Sequence, residues 1–416
     1  MSPSNGARRA AVAAAIATIA STGAARPALA EPDAKIVERA QGYKQPALDF
    51  LKRMVDQDSG SGDEAGLVKV ADLAIAELTA LGAKVETQAP AEGGKGKNVI
   101  ATLEGSGGAK ILMMAHLDTV FREGDAAKRP FRIDGARAYG PGVMDDKGGI
   151  AIGTYALKIL KNLDFKGFGR ITLLLNSSEE IGSPGARKLI EEQAKAHDLV
   201  LNLEPGRAAD GLVISRKGSG KAIVTVKGKS SHAGVAPEKG RNAATELAHQ
   251  TLQVGKLGDK EKGTTVNVTV LKAGTAANII PEDAEATADV RVAVTEEFDR
   301  VERDLKTAAE TKLVPETVVT TRLERNFPPM AKNPATDGLA EKAQAIYGEL
   351  GKKLTLESSG GAADASIAAG VGTPTIDGLG VVGGEIHTPT EYAEVESVVP
   401  RLYLLTRLVM EVGAGK

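Results

Sequence analysis

The stretch ITLLLNSSEEIGSPG (171–185) runs β-forming residues into two adjacent acids, Glu179 and Glu180, and then into a turn holding Gly182, Pro184 and Gly185. Acids at the end of an apolar run are most often a solvated loop. That reading weakens when other metal-ligating residue types close other apolar runs. The chain has five histidines and no cysteine. His116 ends ILMMAH, with Asp118 two residues on. Asp145 lies in the glycine-rich YGPGVMDDKGG, Glu204 closes LVLNLEP, and His387 sits in a second glycine-rich loop, LGVVGGEIHTPTEY. Imidazole and carboxylate donors without thiolate suit zinc or a similar divalent ion. Asp118 is spaced to accept the second imidazole N–H of His116, which would set its tautomer and raise its basicity.

The elements that must position these residues follow from periodicity. Residues 33–57 and 63–82 read as amphipathic helices. Apolar strand-like runs at 98–105, 110–118, 171–180 and 198–205 alternate with helices near 148–162 and 184–195. Such alternation predicts a largely parallel sheet with helices on its faces, and in such sheets ligands bind beyond the carboxyl ends of the strands. The style changes near Gly218. A strand at 221–229, a helix at 241–255, strands at 264–274 and 283–294, a helix at 296–310 and a strand at 316–324 give the order β-α-β-β-α-β, the split ferredoxin-like arrangement. RNFPPMAKNP (325–334) reads as the linker back, and the chain ends in an apolar-striped helix at 396–412. The expected organisation is a catalytic α/β domain (31–217 and 329–416) interrupted by an α+β unit (218–328) that serves as lid and dimerisation domain.

Composition sets bounds on the rest. The 416 residues are 42% hydrophobic and 25% charged, an ordinary globular balance with room for two domains. Residues 1–30 carry Arg8 and Arg9, then AAVAAAIATIA, then PALA, the pattern of an export signal cleaved after Ala30. Its apolar stretch is too short to span a bilayer. Losing it removes three arginines and no acid, taking the formal charge from −2 to −5. That balance gives no footing for nucleic acid or a membrane surface. The expected location is the periplasm or the exterior.

Taken in order, MMAHLDTV, GPGVMDDKGG, SSEEIGS, LEPGR, SSHAGVAPE, NIIP and EIHTPTEY resemble the co-catalytic zinc aminoacylase/carboxypeptidase family, closest to its bacterial glutamate carboxypeptidases of the G type. The likeness runs from about residue 33 to the C-terminus. It implies two zinc ions per chain and a homodimer. His116 and Glu204 match ligands of one zinc, and Glu180 and His387 those of the other. Asp145 matches the bridging carboxylate, with Asp146 at the position behind a strained peptide bond. Glu179 matches the general base and Asp118 the supporting acid. His232, Asn278 and Arg291 match substrate-binding positions, and Gly360 and Gly361 match the loop before a substrate-binding helix. The segment PGRAADGLVISRKGSG departs from the family pattern, which carries a substrate-contacting Lys there; Arg216, Lys217 or neither takes its place.

Each residue also has a plainer reading. His116 alone reads better as a satisfied core histidine, and Arg291 alternates with Asp289 and Glu285 as a surface ion pair would. His197 and His249 carry no assignment. SSHAG (230–234) lacks the strand and G-x-S-x-G elbow that a serine nucleophile needs. The expected activity is metal-dependent hydrolysis of the amide to a C-terminal amino acid, glutamate foremost, in peptides or N-acyl and folate-like substrates. An N-acyl-amino-acid deacylase or dipeptidase is the alternative. A non-catalytic zinc-binding protein would leave Glu179 without a task.

Overall fold

A computed structural model describes residues 31–415. The expected export signal, residues 1–30, lies outside them. No helix among the described residues is long and apolar enough to cross a membrane.

The larger sheet has six strands in the order Lys84–Gln88, Asn98–Glu104, Arg170–Asn176, Lys110–His116, Leu199–Asn202 and Thr375–Ile376. The first two pairings are antiparallel and the others parallel. Its central strands are buried on both faces, as a parallel sheet requires. Side chains alternate between two cores. Ile111, Met113 and Leu173 meet the helices Ala34–Val55, Lys147–Asn162 and Val398–Gly413 on one side. Leu112, Met114 and Leu174 meet Leu189 and Ile190 of Arg187–Lys195, and Ile367 of Asp364–Gly370, on the other. Local signals set the helix ends. Asp33 caps the first helix by accepting from the amides of Lys35 and Ile36, and Gly82 closes the second at φ +92°, where a Cβ would be strained.

The β-α-β-β-α-β unit forms a separate four-stranded antiparallel sheet in the order Thr265–Ala273, Asp283–Val292, Gly218–Lys227 and Val318–Phe327. The helices Ala243–Val254 and Thr295–Glu310 cover one face. Val224, Val226, Leu247, Val290, Phe298 and Val301 form its own core.

Several elements differ from the sequence reading. Gly218–Lys227 starts three residues before the expected 221, because Gly218, Ser219 and Gly220 pair with Val292, Arg291 and Val290. Glycine lacks the side-chain signal that marks a strand. The last strand continues to Phe327, so the expected linker loses its first residues. The run read as 171–180 stops at Asn176, and Glu179–Ile181 form a 3₁₀ turn. The parallel pair Leu212–Arg216 and Leu356–Ser359 carried no recognised signal.

Phe298 is buried between helix and sheet, so Phe298→Ala should cost about 3–5 kcal/mol of stability in this unit. Urea unfolding followed by circular dichroism checks it. A loss below about 1 kcal/mol would show that this core does not hold the unit together.

Candidate metal centre

Three parallel strands end side by side. His116 closes Lys110–His116 and is the register partner of Asn176. Asn202, closing the next strand, leads into Glu204. Beyond Asn176 the chain folds into the turn that holds Glu179 and Glu180. Asp145 comes from the loop before the helix Lys147–Asn162, and its bond to Asp146 is cis. His387 comes from the loop between Gly383–Gly384 and Tyr392–Glu394, with φ +65°.

Asp145 stands between two imidazoles. One carboxylate oxygen lies 3.0 Å from His116 Nε2 and the other 3.2 Å from His387 Nε2. Glu204 Oε1 is 3.6 Å from His116 Nε2, and Glu180 Oε2 is 3.2 Å from His387 Nε2. Ligating atoms of His116, Asp145 and Glu180 all lie within 4.8 Å of one another, as do those of His116, Glu179 and Glu204. Five of the expected ligand residues and Glu179 therefore meet in one place.

Asp118 differs in its contacts from the sequence reading. Its backbone carbonyl, not its carboxylate, is the nearer partner of His116 Nδ1, at 2.9 Å against 3.4 Å. The carboxylate accepts the amides of Glu179 at 2.9 Å and Glu180 at 3.1 Å, and the Ser61 hydroxyl at 2.7 Å. Two segments separated along the chain by two helices and three strands are thus locked together. The 3₁₀ turn also explains how successive acids face one centre, which a continuing strand would forbid.

Electrostatics follow from crowding. Burial raises the Glu179 carboxyl well above the usual range, and the Glu204 carboxylate adds to it. Glu204 is pushed up to about 8 by burial first and Asp145 next. Burial would raise Asp145 too, but hydrogen bonds to His116 and His387 hold it well below the ordinary value. Hydrogen bonds to Asp145 and then Glu180 lift His387 to about 10. These side chains alone balance their charge by holding protons between acids and imidazoles. Each such proton stands where a divalent cation would serve better. Glu180 Oε1 is buried with no hydrogen-bond partner, a lone pair suited to a ligand role. The donor set fits zinc.

Beside the centre lies a cavity of about 450 Å³, lined by Glu179, Glu204, Arg216, Arg291, Gly361 and His387 among others. Arg216 is buried. Its Nε donates to Asp377 at 2.5 Å and its Nη1 to the Gly361 carbonyl at 3.2 Å, while Nη2 has no partner and lies 3.9 Å from Glu204. Lys217 does not line the cavity. Arg291 does, though its Nε also bonds both Asp289 oxygens, at 3.1 and 3.2 Å. His232 and Asn278 lie together, since Ser231–His232 pairs with Ile279–Ile280, but both are exposed and neither lines this cavity. Gly361 reaches the cavity wall and Gly360 does not. His197 and His249 are tied to structural partners, Thr172 Oγ1 and the Thr311 carbonyl.

Sequence reasoning missed Glu391. It is buried, and its Oε1 accepts the amides of Met144 at 2.9 Å and Asp145 at 3.1 Å. It joins the loop of His387 to the loop of Asp145. The signal was an acid four residues after His387 in the same motif. Asp377, which braces Arg216, had no local signal.

Comparison with known proteins agrees with this geometry. The model of Peptidase family M20/M25/M40 matches residues 112–411. Carboxypeptidase G2 of Pseudomonas sp. (strain RS-16) is 40% identical over 412 residues, covering 98% of this chain and 99% of that relative. Succinyl-diaminopimelate desuccinylase of Xanthomonas oryzae pv. oryzae (strain PXO99A) is 29% identical, covering 76% of this chain and 88% of that relative. The crystal structure of aminopeptidase PepT from Bacillus cereus ATCC 10987 superposes with a TM-score of 0.75 at 26% identity, covering 89% of this chain and 98% of that one. With most of its length matched and its acids and imidazoles gathered at the strand ends, the chain belongs to peptidase family M20/M25/M40 and is a carboxypeptidase G-like metallopeptidase.

Proposed function

We infer that this metallopeptidase works with two zinc ions and removes a C-terminal glutamate from N-acyl, folate-like or peptide substrates. The observation that carries this reading is the Asp145 carboxylate, with one oxygen toward each histidine. His116 and Glu204 would hold one ion, Glu180 and His387 the other, and Asp145 both. Bound there, the ions supply Lewis acidity toward the scissile carbonyl and lower the pKa of water. Glu179 accepts a proton from the attacking water and returns it to the leaving amine. Its carboxyl lies within reach of the ligand atoms of His116 and Glu204, where that proton would move. Arg216 and Arg291, on the cavity wall, are placed for the carboxylates of the leaving residue, and guanidinium forks suit carboxylates.

His232 and Asn278 are exposed on the inserted unit and do not line the cavity; a lid role for that unit would bring them to the reacting carbonyl. Exposed apolar residues of that unit, Leu252, Val270 and Leu271, support its use in a homodimer. The leader pattern of residues 1–30 supports a periplasmic location. A deacylase or dipeptidase of the same family would differ in which carboxylate the arginines hold.

Elemental analysis of zinc-loaded protein should find two ions per chain, and a panel of N-acyl amino acids should show glutamate preferred at the C-terminus. Glu179→Gln should lower kcat by about 10²–10⁴-fold with zinc content nearly intact, while Glu180→Ala should also lose zinc. One ion or none at saturating zinc, or a Glu179→Gln enzyme above a tenth of the normal rate, would overturn the assignment. For Arg291, the comparison is kcat/KM on an N-acyl-glutamate against its α-amide. Arg291→Ala should lose the preference for the free acid, by about 2–5 kcal/mol, with Arg291→Lys recovering part. A preference that survives would make Arg291 only the partner of Asp289. Glu391→Ala should weaken zinc retention on dialysis about 10–100-fold, while Glu391→Gln, which keeps an acceptor, should retain most of it. Equal losses in both would mean that charge, not the two amide bonds, matters there.

A further inference from the structure

The chain passes between the inserted unit and the larger body at Gly218 and at Phe327, and the two crossings lie side by side. Phe327 pairs with Ser219, and a side chain at Gly218 would meet the Phe327 carbonyl at 2.9 Å. Just before the crossing the ladder breaks. Arg325 pairs with Gly220 and Phe327 with Ser219, so Asn326 is an extra residue with no register partner. A bulge of this kind takes backbone groups out of the ladder. The Asn326 carbonyl accepts from Arg187 Nη2, and the same nitrogen donates to the Gly182 carbonyl at 3.3 Å. The Arg187 guanidinium also lies 5.3 Å from the centre of the Phe327 ring.

Arg187 opens the helix Arg187–Lys195, an end where the peptide dipoles disfavour a cation. It is half-buried and does not line the cavity beside the metal centre, so it is not placed to meet substrate there. What it touches leads to that centre. Gly182 closes the turn of Glu179–Ile181, and its amide donates to the Glu179 carbonyl at 2.8 Å. Phe327 belongs to a strand of the inserted sheet, yet it packs with Met114, Leu174 and Leu189 of the larger body. Asp118 holds one side of the turn through the amides of Glu179 and Glu180. Arg187 holds the other side through Gly182.

We propose that Arg187 is a positioning residue for Glu179, tying the bulged crossing at Asn326 to the turn that carries the proton-transferring acid. This rests on the reading of Glu179 as that acid. With Asp118 and Arg187 both in place the turn has one setting. A shift of the inserted unit at Asn326 is passed through a single guanidinium to the Gly182 carbonyl, and from there to the acid three residues before it.

In the zinc-loaded enzyme, Arg187→Ala should lower kcat on an N-acyl-glutamate about 10–100-fold, the loss expected of a misplaced acid, with KM and zinc content near native. Guanidinium chloride at a millimolar, non-denaturing concentration should restore part of that rate, and sodium chloride at the same concentration should not. Lys188→Ala, at the exposed neighbour on the same helix, should leave kcat unchanged. Hydrogen exchange read by mass spectrometry should quicken in Arg187→Ala both at 179–186 and at 326–330. Arg187→Lys keeps the charge but lacks the fork, and it covers the case of an alanine variant that does not fold. It should lose part of kcat and show the same paired rise in exchange. Native kcat in both variants, a rate loss matched by zinc loss, or exchange that quickens in one segment only would overturn the proposal. If Glu179→Gln keeps its rate while exchange still rises in both segments, the reading of Glu179 fails and the tie between the segments stands. If Glu179→Gln is inactive and Arg187→Ala turns over normally, the positioning role alone fails.

Discussion

Everything in this structure bends around one electrostatic constraint. Asp145, Glu179, Glu180 and Glu204 are gathered at the edge of a buried sheet, where like charges cannot share a low-dielectric space without compensation. Two imidazoles stand against Asp145, one on each oxygen. Burial and neighbouring carboxylates raise both Glu204 and Glu179, a crowding that cations would relieve. The site residues are drawn from well-separated stretches of sequence, and much of the fold exists to hold their repulsion in check.

The means are mostly backbone amides caught by buried acids. Asp118 holds two amides of the Glu179 turn, and Glu391 holds two amides of the Asp145 loop. Asp364 does the same kind of work through side chains, accepting from Asn176 at 2.8 Å and from the Ser183 hydroxyl. Charge-assisted bonds of this type are among the stronger ones available, and burial removes the competition of water. A loop carrying a ligand is thereby as fixed as a strand end. Lys147 belongs to the same scheme. Fully buried, it donates to the Gln57 and Pro141 carbonyls, and burial lowers it to about 8.

Two cavities meet at Glu180, and their walls differ in chemistry. One side presents guanidinium groups braced by Asp377 and Asp289, the other uncovered apolar side chains. The inserted unit has its own core and joins the larger body through the strand ends at Gly218 and Phe327. Such a connection permits a rigid unit to move as a whole.

Much of this was legible in the sequence for local reasons. Alternation of apolar runs with amphipathic stretches specifies strands and helices whatever surrounds them, so the catalytic α/β scaffold and the order of the β-α-β-β-α-β unit were readable. His116, Asp145, Glu179, Glu180, Glu204 and His387 stood out as a set, because ligand-type residues recur at the ends of several apolar runs and in two glycine-rich loops, although each alone has a plainer reading. Only the tertiary structure decided which atoms meet. That Asp118 turns its carboxylate to the Glu179 amides, not chiefly to His116, depends on where the chain bends after Asn176. Glu391 and Asp377 looked like ordinary acids, since the amides and guanidinium they serve are remote in sequence. The glycine-led start at Gly218 was hidden because its pairing comes from Val290–Val292 and not from side chains of its own. His232 and Asn278 matched substrate-binding positions only by resemblance; they are exposed and do not line the cavity, and their place relative to the centre depends on how the inserted unit sits and not on their neighbours in sequence. Periodicity is a property of one segment and can be read from it. Hydrogen-bond partnership and shared cavities belong to pairs of distant segments, and they exist only after the backbone has brought those segments together.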